Sequence, residues 1–184
     1  MNRCFWVDDS EIYIKYHDEE WGKPVYDDET LFEFLLLETF QAGVSWKVIL
    51  NKRENFRKSF DEFDYKKIAK YPESKYQELL QNTGIIRNKL KIRSAITNAK
   101  LFIDIQKEYG SFSKFIWNYV GGKPIVNNFQ TKKDVPATTE LSDKISKDLK
   151  KRGFKFTGST IMYAYMQAVG LVNDHTTNCF KYLD

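Results

Sequence analysis

Apolar residues recur at three- and four-residue spacing along most of this chain, a pattern that predicts helices almost throughout. The widest apolar face belongs to Leu31, Phe32, Leu35, Leu36 and Phe40, behind Asp27 or Asp28 as a capping residue. Glu38 falls near the C-terminal end of that helix, where the helix dipole disfavours a carboxylate. It is either a solvent-exposed glutamate or one kept for a reason other than helix stability. Upstream, Ser10 can cap a short helix carrying Ile12, Tyr13 and Tyr16, which Trp21-Gly22-Lys23-Pro24 should end. Downstream, Gln41-Ala42-Gly43-Val44 reads as a connector. Ser45 then caps a helix with Trp46, Ile49, Leu50, Phe56 and Phe60 on one face.

Asp64 caps a short helix over 65–70, and Pro72 opens another that runs through Leu80. A tight connection, Gly84 to Lys89, leads into a long helix ending near Lys107. Its first turns hold Arg87, Lys89, Lys91 and Arg93 with no acid, which suits either a phosphate site or a solvated face. Residues 121–139 carry the least pattern. Ser142 caps a helix through Arg152, and a second helix presents Ile161, Met162, Tyr165, Met166 and Val169 before Gly170. Between them, Lys151, Arg152, Gly153, Lys155 and Gly158 mark a basic, glycine-punctuated hairpin whose backbone N–H groups suit phosphate. No alternation of strand type is visible. The expectation is an all-α fold in a single domain spanning 1–184. A central helical lobe covers about 28–120, and a terminal lobe from 1–27 and 121–184 carries the hairpin.

Charge sharpens this picture. Residues 1–46 carry a balance of −8 and residues 47–184 one of +12. A basic body fits an anionic partner, although lysines and glutamates that merely solvate helices give the same totals. The acidic first quarter also holds Trp6, Tyr13, Tyr16, Trp21 and Trp46, grouped in sequence around Glu38. No signal peptide or membrane span is visible, so no membrane partner and a reducing cytoplasm are expected.

The chain has two cysteines and two histidines, and all four lie near its ends as Cys4, His17, His175 and Cys179. Two Cys and two His make a donor set that zinc takes in a closed, structural, tetrahedral site. Two buried thiols and two surface histidines are the other reading of the same residues.

The segments Arg3-Cys4-x-Trp6, Tyr13-Ile14-x-Tyr16-His17-Asp18-x-Glu20-Trp21-Gly22 and Leu37-Glu38-x-x-Gln41-Ala42-Gly43-Val44-Ser45-Trp46 together resemble the 3-methyladenine DNA glycosylase I (Tag) family of bacterial base-excision repair. Gly84-Ile85-Ile86-Arg87, Lys151-Arg152-Gly153-Phe154-Lys155-Phe156-x-Gly158, Asp174-His175 and Cys179 extend the resemblance nearly end to end. The resemblance implies a helix-hairpin-helix DNA glycosylase fold whose N- and C-termini are joined by one structural zinc on Cys4, His17, His175 and Cys179. It implies a monomeric, monofunctional enzyme that flips 3-methyladenine out of double-stranded DNA and hydrolyses its N-glycosidic bond. Free 3-methyladenine would be a product. Glu38 and Tyr16 would act in catalysis. Trp6, Tyr13, Tyr16, Glu38 and Trp46 would bind the base. Gly43, Val44 and the hairpin residues Lys151, Arg152, Gly153, Lys155 and Gly158 would hold the DNA. Activity on the nucleoid, in the cytoplasm, is expected.

Ser159 and Thr160 stand where lyases of the wider superfamily carry a Schiff-base lysine, which weighs against a bifunctional glycosylase/lyase. A non-catalytic zinc-stabilised DNA-binding module would use the same hairpin and metal set, but leaves the Tyr13, Tyr16, Glu38, Trp46 group unexplained. Two positions depart from the family pattern. Phe40 stands where a polar residue is expected and would alter the pocket floor; Val44 replaces the usual Leu and trims a wedge. Asp174, next to His175, is expected to support that metal ligand from behind.

Overall fold

The computed structural model describes residues 1–182 and is built almost wholly of helices. In chain order these are α1 (Glu11–Glu19), α2 (Asp28–Gln41), α3 (Trp46–Ser59), α4 (Tyr65–Ile68), α5 (Glu73–Gln81), α6 (Lys89–Tyr109), α7 (Phe112–Asn118), α8 (Glu140–Arg152) and α9 (Ser159–Ala168). Among the described residues no helix is long and apolar enough to cross a membrane.

Helix α2 is the central one. Its residues 31–40 are all buried, and it packs on α3, α6, α7 and α9. A helix apolar on all sides has to be enclosed on all sides. Asp27 caps it, accepting from the Thr30 N–H at 2.8 Å. Asp28 does a different job. Its carboxylate accepts from Gln106 Nε2 and from the backbone N–H groups of Phe112 and Ser113, which fastens the end of α6 and the start of α7 to α2.

Four sequence-based expectations change. Phe40 is fully buried among Phe56 and Phe60, at ring distances of 4.8 and 5.8 Å, so it belongs to the core and forms no pocket floor. Thr139, not Ser142, is the N-cap of α8; Ser142 is the reciprocal partner in a capping box. Ser10 precedes α1 but turns its hydroxyl to Asp8 rather than to the helix. Lys91 is buried, with its ammonium donating to the carbonyls of Phe40 and Ala42, so it offers nothing to a phosphate.

The 121–139 segment adds one non-helical feature. Its β1 (Ile125–Val126) pairs in parallel with β2 (Val172–Asn173), which follows α9. Two residues are too few to show alternation in sequence. The pairing satisfies backbone groups that a helix would have used internally.

The two ends of the chain are brought together here. Residues 22–25 run along the end of α9, with the Gly22 N–H donating to Gln167 O at 3.1 Å and the Val25 N–H to Val169 O at 3.0 Å. The approach is so close that a Cβ on Gly170 (φ +72°) would lie 2.4 Å from the Lys23 carbonyl carbon. Only glycine meets both demands. Further out, the Phe180 N–H donates to Asn2 O at 3.0 Å.

Candidate functional site

Helices α1, α2, α3 and α9 leave between them a cavity of about 290 Å³, at the small end of the range for ligand pockets. Trp6, Tyr13, Tyr16, Trp21 and Trp46 supply aromatic walls; Glu38, Gln41, Gln167 and Asp174 supply polar ones. Tyr16 and Trp46 lie side by side, their rings tilted by 52° with centroids 5.5 Å apart. Trp6 meets Tyr13 edge-on at 5.5 Å and Trp21 at 5.0 Å. The sequence grouping of these aromatics around Glu38 is therefore a spatial one.

Glu38 is 2% exposed and is not a surface glutamate. No cation pairs with it among the described residues, and burial alone pushes its carboxyl up to about 8. Burial thus favours the neutral carboxyl in this cavity. The Tyr16 hydroxyl is driven well above its ordinary value by burial, then by the nearby Glu38 charge. Among the described residues, four buried side-chain polar atoms lack a hydrogen-bond partner, and three line this cavity: Glu38 Oε2, Trp6 Nε1 and Trp46 Nε1. Unsatisfied polar atoms cost about 1–3 kcal/mol each. Concentrated in one cavity, they mark a place prepared for polar atoms of a ligand. A flat cationic ring fits best: the walls offer π faces, and Glu38 can ionise against the ring's charge.

The metal-ligand residues also meet. Donor atoms of Cys4, His17, His175 and Cys179 all lie within 4.8 Å of one another, and all four residues are buried. Cys4 Sγ is 3.4 Å from His175 Nδ1, and Cys179 Sγ is 3.4 Å from His17 Nε2. The other nitrogen of each ring is held from behind. Asp18 Oδ1 lies 2.7 Å from His17 Nδ1, and Trp21 O lies 3.1 Å from His175 Nε2. Those contacts select tautomers whose free lone pairs point into the cluster. Arg3 binds Asp18 through both carboxylate oxygens and, with His17, lowers its carboxyl pKa to about 2. Burial pushes the Cys4 thiol up to about 12 and His175 down to about 4, so the imidazole is neutral and ready to ligate. A bound cation would draw off the thiol protons. The group can therefore hold a metal ion.

Asp174 does not support His175 from behind. It accepts from Asn127 Nδ2, the Tyr163 hydroxyl and Gln167 Nε2 at 2.5–2.8 Å and lines the cavity. Sequence reasoning missed Asp18 in the supporting role, although Arg3 and Asp18 directly flank Cys4 and His17, a signal that was available.

The hairpin between α8 and α9 is built from backbone clamps. Gly153 ends α8 at φ +102°. The Asn98 side chain bonds both the N–H and the carbonyl of Lys155, at 2.9 and 3.0 Å. The Ser146 hydroxyl donates to Thr157 O at 2.6 Å. Gly158 caps α9 without a side-chain bond, leaving first-turn N–H groups without a side-chain cap. Lys151 and Lys155 are exposed, whereas Arg152 pairs with Glu108 and the Tyr109 hydroxyl. Gly43, on the connector, is exposed at φ +80° with open space around it, and Val44 packs partly against the core.

A family model described as methyladenine glycosylase matches residues 6–182. The DNA-3-methyladenine glycosylase of Haemophilus influenzae is 49% identical over 177 residues, covering 96% of this chain and 96% of that protein. DNA-3-methyladenine glycosylase 1 of Escherichia coli K12 is 46% identical over 182 residues, covering 99% and 97%. A crystal structure of 3-methyladenine DNA glycosylase I superposes with a TM-score of 0.96 at 48% identity, over 98% of this chain and all of that one. The Staphylococcus aureus enzyme, in a structure concerned with its recognition of 3-methyladenine, gives 0.96 at 34% identity over 100% and 98%.

Proposed function

This chain belongs to the methyladenine glycosylase family, and we propose that it excises 3-methyladenine from alkylated double-stranded DNA, hydrolysing the N-glycosidic bond and leaving an abasic site. The observation that carries the reading is Glu38: a buried, unpaired carboxyl inside an aromatic cage. Such a site favours a cationic base, against whose charge Glu38 can ionise and whose ring the aromatic faces attract, over a neutral one. Flipping costs a few kcal/mol and is cheapest for a damaged base. Stacking on Tyr16 and Trp46 returns about 1–3 kcal/mol per base. Trp6 and Tyr13 complete the walls. The methylated base leaves as a neutral molecule, so the bond to the sugar breaks with little help from an acid. Glu38 and Tyr16 orient the base and choose it; water supplies the hydroxyl to the sugar carbon.

The DNA is held in a helix-hairpin-helix manner. N–H groups at the start of α9 face a phosphate, with Lys151 and Lys155 beside them and Arg152 behind. Gly43 and Val44 enter the duplex where the base leaves. Cys4, His17, His175 and Cys179 hold one structural zinc, whose preference for two thiolates and two imidazoles matches the set. With four protein donors the zinc has no position for water, so it organises the pocket and takes no chemical step. The protein works as a monomer, in the cytoplasm, as a single domain.

The deciding experiment is release of free base from methylated DNA, resolved by chromatography. Release of 3-methyladenine with an intact abasic strand supports the reading. Absence of release, or a strand nick with a borohydride-trappable adduct, overturns it.

A further inference from the structure

Lys91 is the one buried lysine among the described residues. It springs from the first turn of α6, where Asn88 caps the helix by accepting from the Leu90 and Lys91 N–H groups at 3.0 and 3.1 Å. The base of its stem is thus fixed. Its Nζ crosses to the end of α2 and donates to Phe40 O at 2.8 Å and to Ala42 O. Those carbonyls flank Gln41, the last residue of α2, whose own carbonyl accepts from the Val44 N–H at 2.8 Å. The ammonium therefore grips the chain on both sides of the point where it leaves the helix. Immediately beyond, Gly43 adopts φ +80° in open space, with no packing of its own to define its direction.

We infer that Lys91 is a positioning residue for the Gly43-Val44 connector, setting the angle at which it meets the duplex; this rests on the proposed entry of that connector into DNA. A cation is the right group for the task. Carbonyls at a helix C-terminus lack intrahelical partners, and a positive charge also complements the dipole there. The far side of the connector is fixed separately, by the Ser45 hydroxyl accepting from the Val48 N–H at 3.3 Å at the start of α3. The tip is strung between two anchors, and Lys91 is the one contributed by another part of the chain.

The test compares wild type, Lys91→Met and Lys91→Gln in three assays. These are single-turnover release of 3-methyladenine from duplex DNA at saturating enzyme, binding of free 3-methyladenine, and salt dependence of binding to undamaged duplex. Lys91→Met is expected to slow release roughly ten- to a hundredfold, the scale of a small misplacement transmitted from a distance. Free-base affinity should stay within about twofold and the salt slope unchanged, because a buried ammonium contacts no phosphate. Lys91→Gln, which keeps a donor able to reach one carbonyl, should fall between. If Lys91→Met does not fold, Lys91→Gln decides alone by the same pattern. Unchanged release, or equal losses of release and free-base binding, overturns the role, the second by making Lys91 a general structural residue. A slope lowered by about one contact overturns it too, by making Lys91 a phosphate ligand. A wild-type protein that releases no base overturns the proposed function and, with it, this inference.

Discussion

Trp21 and His175 meet twice. The Trp21 carbonyl lies 3.1 Å from His175 Nε2, and the two rings stand edge to face with centroids 4.7 Å apart. The same indole borders the cavity, so one residue both braces a metal-ligand histidine and forms part of the pocket wall. Tyr16 and His17 repeat the arrangement: adjacent on α1, one faces the cavity and the other the ligand group. The pocket is therefore only as well defined as the cluster behind it.

Metal analysis of the purified protein is expected to give one zinc per chain. Cys179→Ala should lower stability more than it changes the chemistry of folded molecules. Removing a cross-link between residues this far apart costs about 5 kcal/mol on the chain-entropy scale. Less than half an equivalent of metal, with no loss of stability on chelation, would count against the site.

Glu38→Gln should weaken binding of substrate and free base and blur discrimination between bases. A carboxylate that holds the ring steadies ground state and transition state alike, and only the difference accelerates the reaction. Single-turnover release should accordingly fall modestly, about tenfold per 1.4 kcal/mol. A collapse by several orders of magnitude with base binding intact would place Glu38 on the sugar or on water instead.

The raised Glu38 pKa also has a sign. In the unfolded chain this carboxyl ionises near its ordinary value of 4.5; in the folded protein it stays protonated up to about 8. Folding therefore binds a proton over that window, and the stability this group allows is full below pH 4.5 and lost as pH rises toward 8. Glu38→Gln removes the dependence. Melting temperatures of wild type and variant should diverge from pH 5 to pH 8, with the glutamine form the more stable at the alkaline end. Parallel curves would show that Glu38 ionises in the folded protein near its ordinary value.

Val44→Gly should slow excision from duplex DNA and spare binding of free 3-methyladenine. Equal losses in the two assays would assign Val44 to the core contacts it partly makes.

Lys151→Ala should weaken binding to all duplex sequences alike and flatten the salt slope by about one contact. An unchanged slope would mean that the exposed basic face of the hairpin serves solvation only.

Helices were legible in this chain because each buries a stripe or a whole surface of apolar side chains, as 31–40 and the 92–105 face of α6 do. The cluster of Cys4, His17, His175 and Cys179 was legible for a different reason: no other Cys or His competes for the role. Lys91, Phe40 and Asp174 were not. Each was judged by its neighbours in sequence, whereas its place is set by a partner 11 to 51 positions away: Phe40 O for Lys91, Phe56 for Phe40, Tyr163 for Asp174. A lysine at the start of a helix looks the same whether it faces solvent or caps the end of another helix. Only the fold decides.

The joining of the two ends has a consequence during synthesis. Cys4, His17 and the aromatic residues of α1 are translated ahead of α2, whereas His175 and Cys179 follow α9. Contacts of such long range form late, because the loop between them must close before they contribute. A ribosome-bound chain can assemble α1 to α7 around Phe32 and Phe102 while Cys4 and His17 still lack His175 and Cys179. A chain not yet extended past Cys179 can gather the aromatic residues of α1 and α3 but lacks the ligand group behind them, so the pocket is completed only after α9 has emerged.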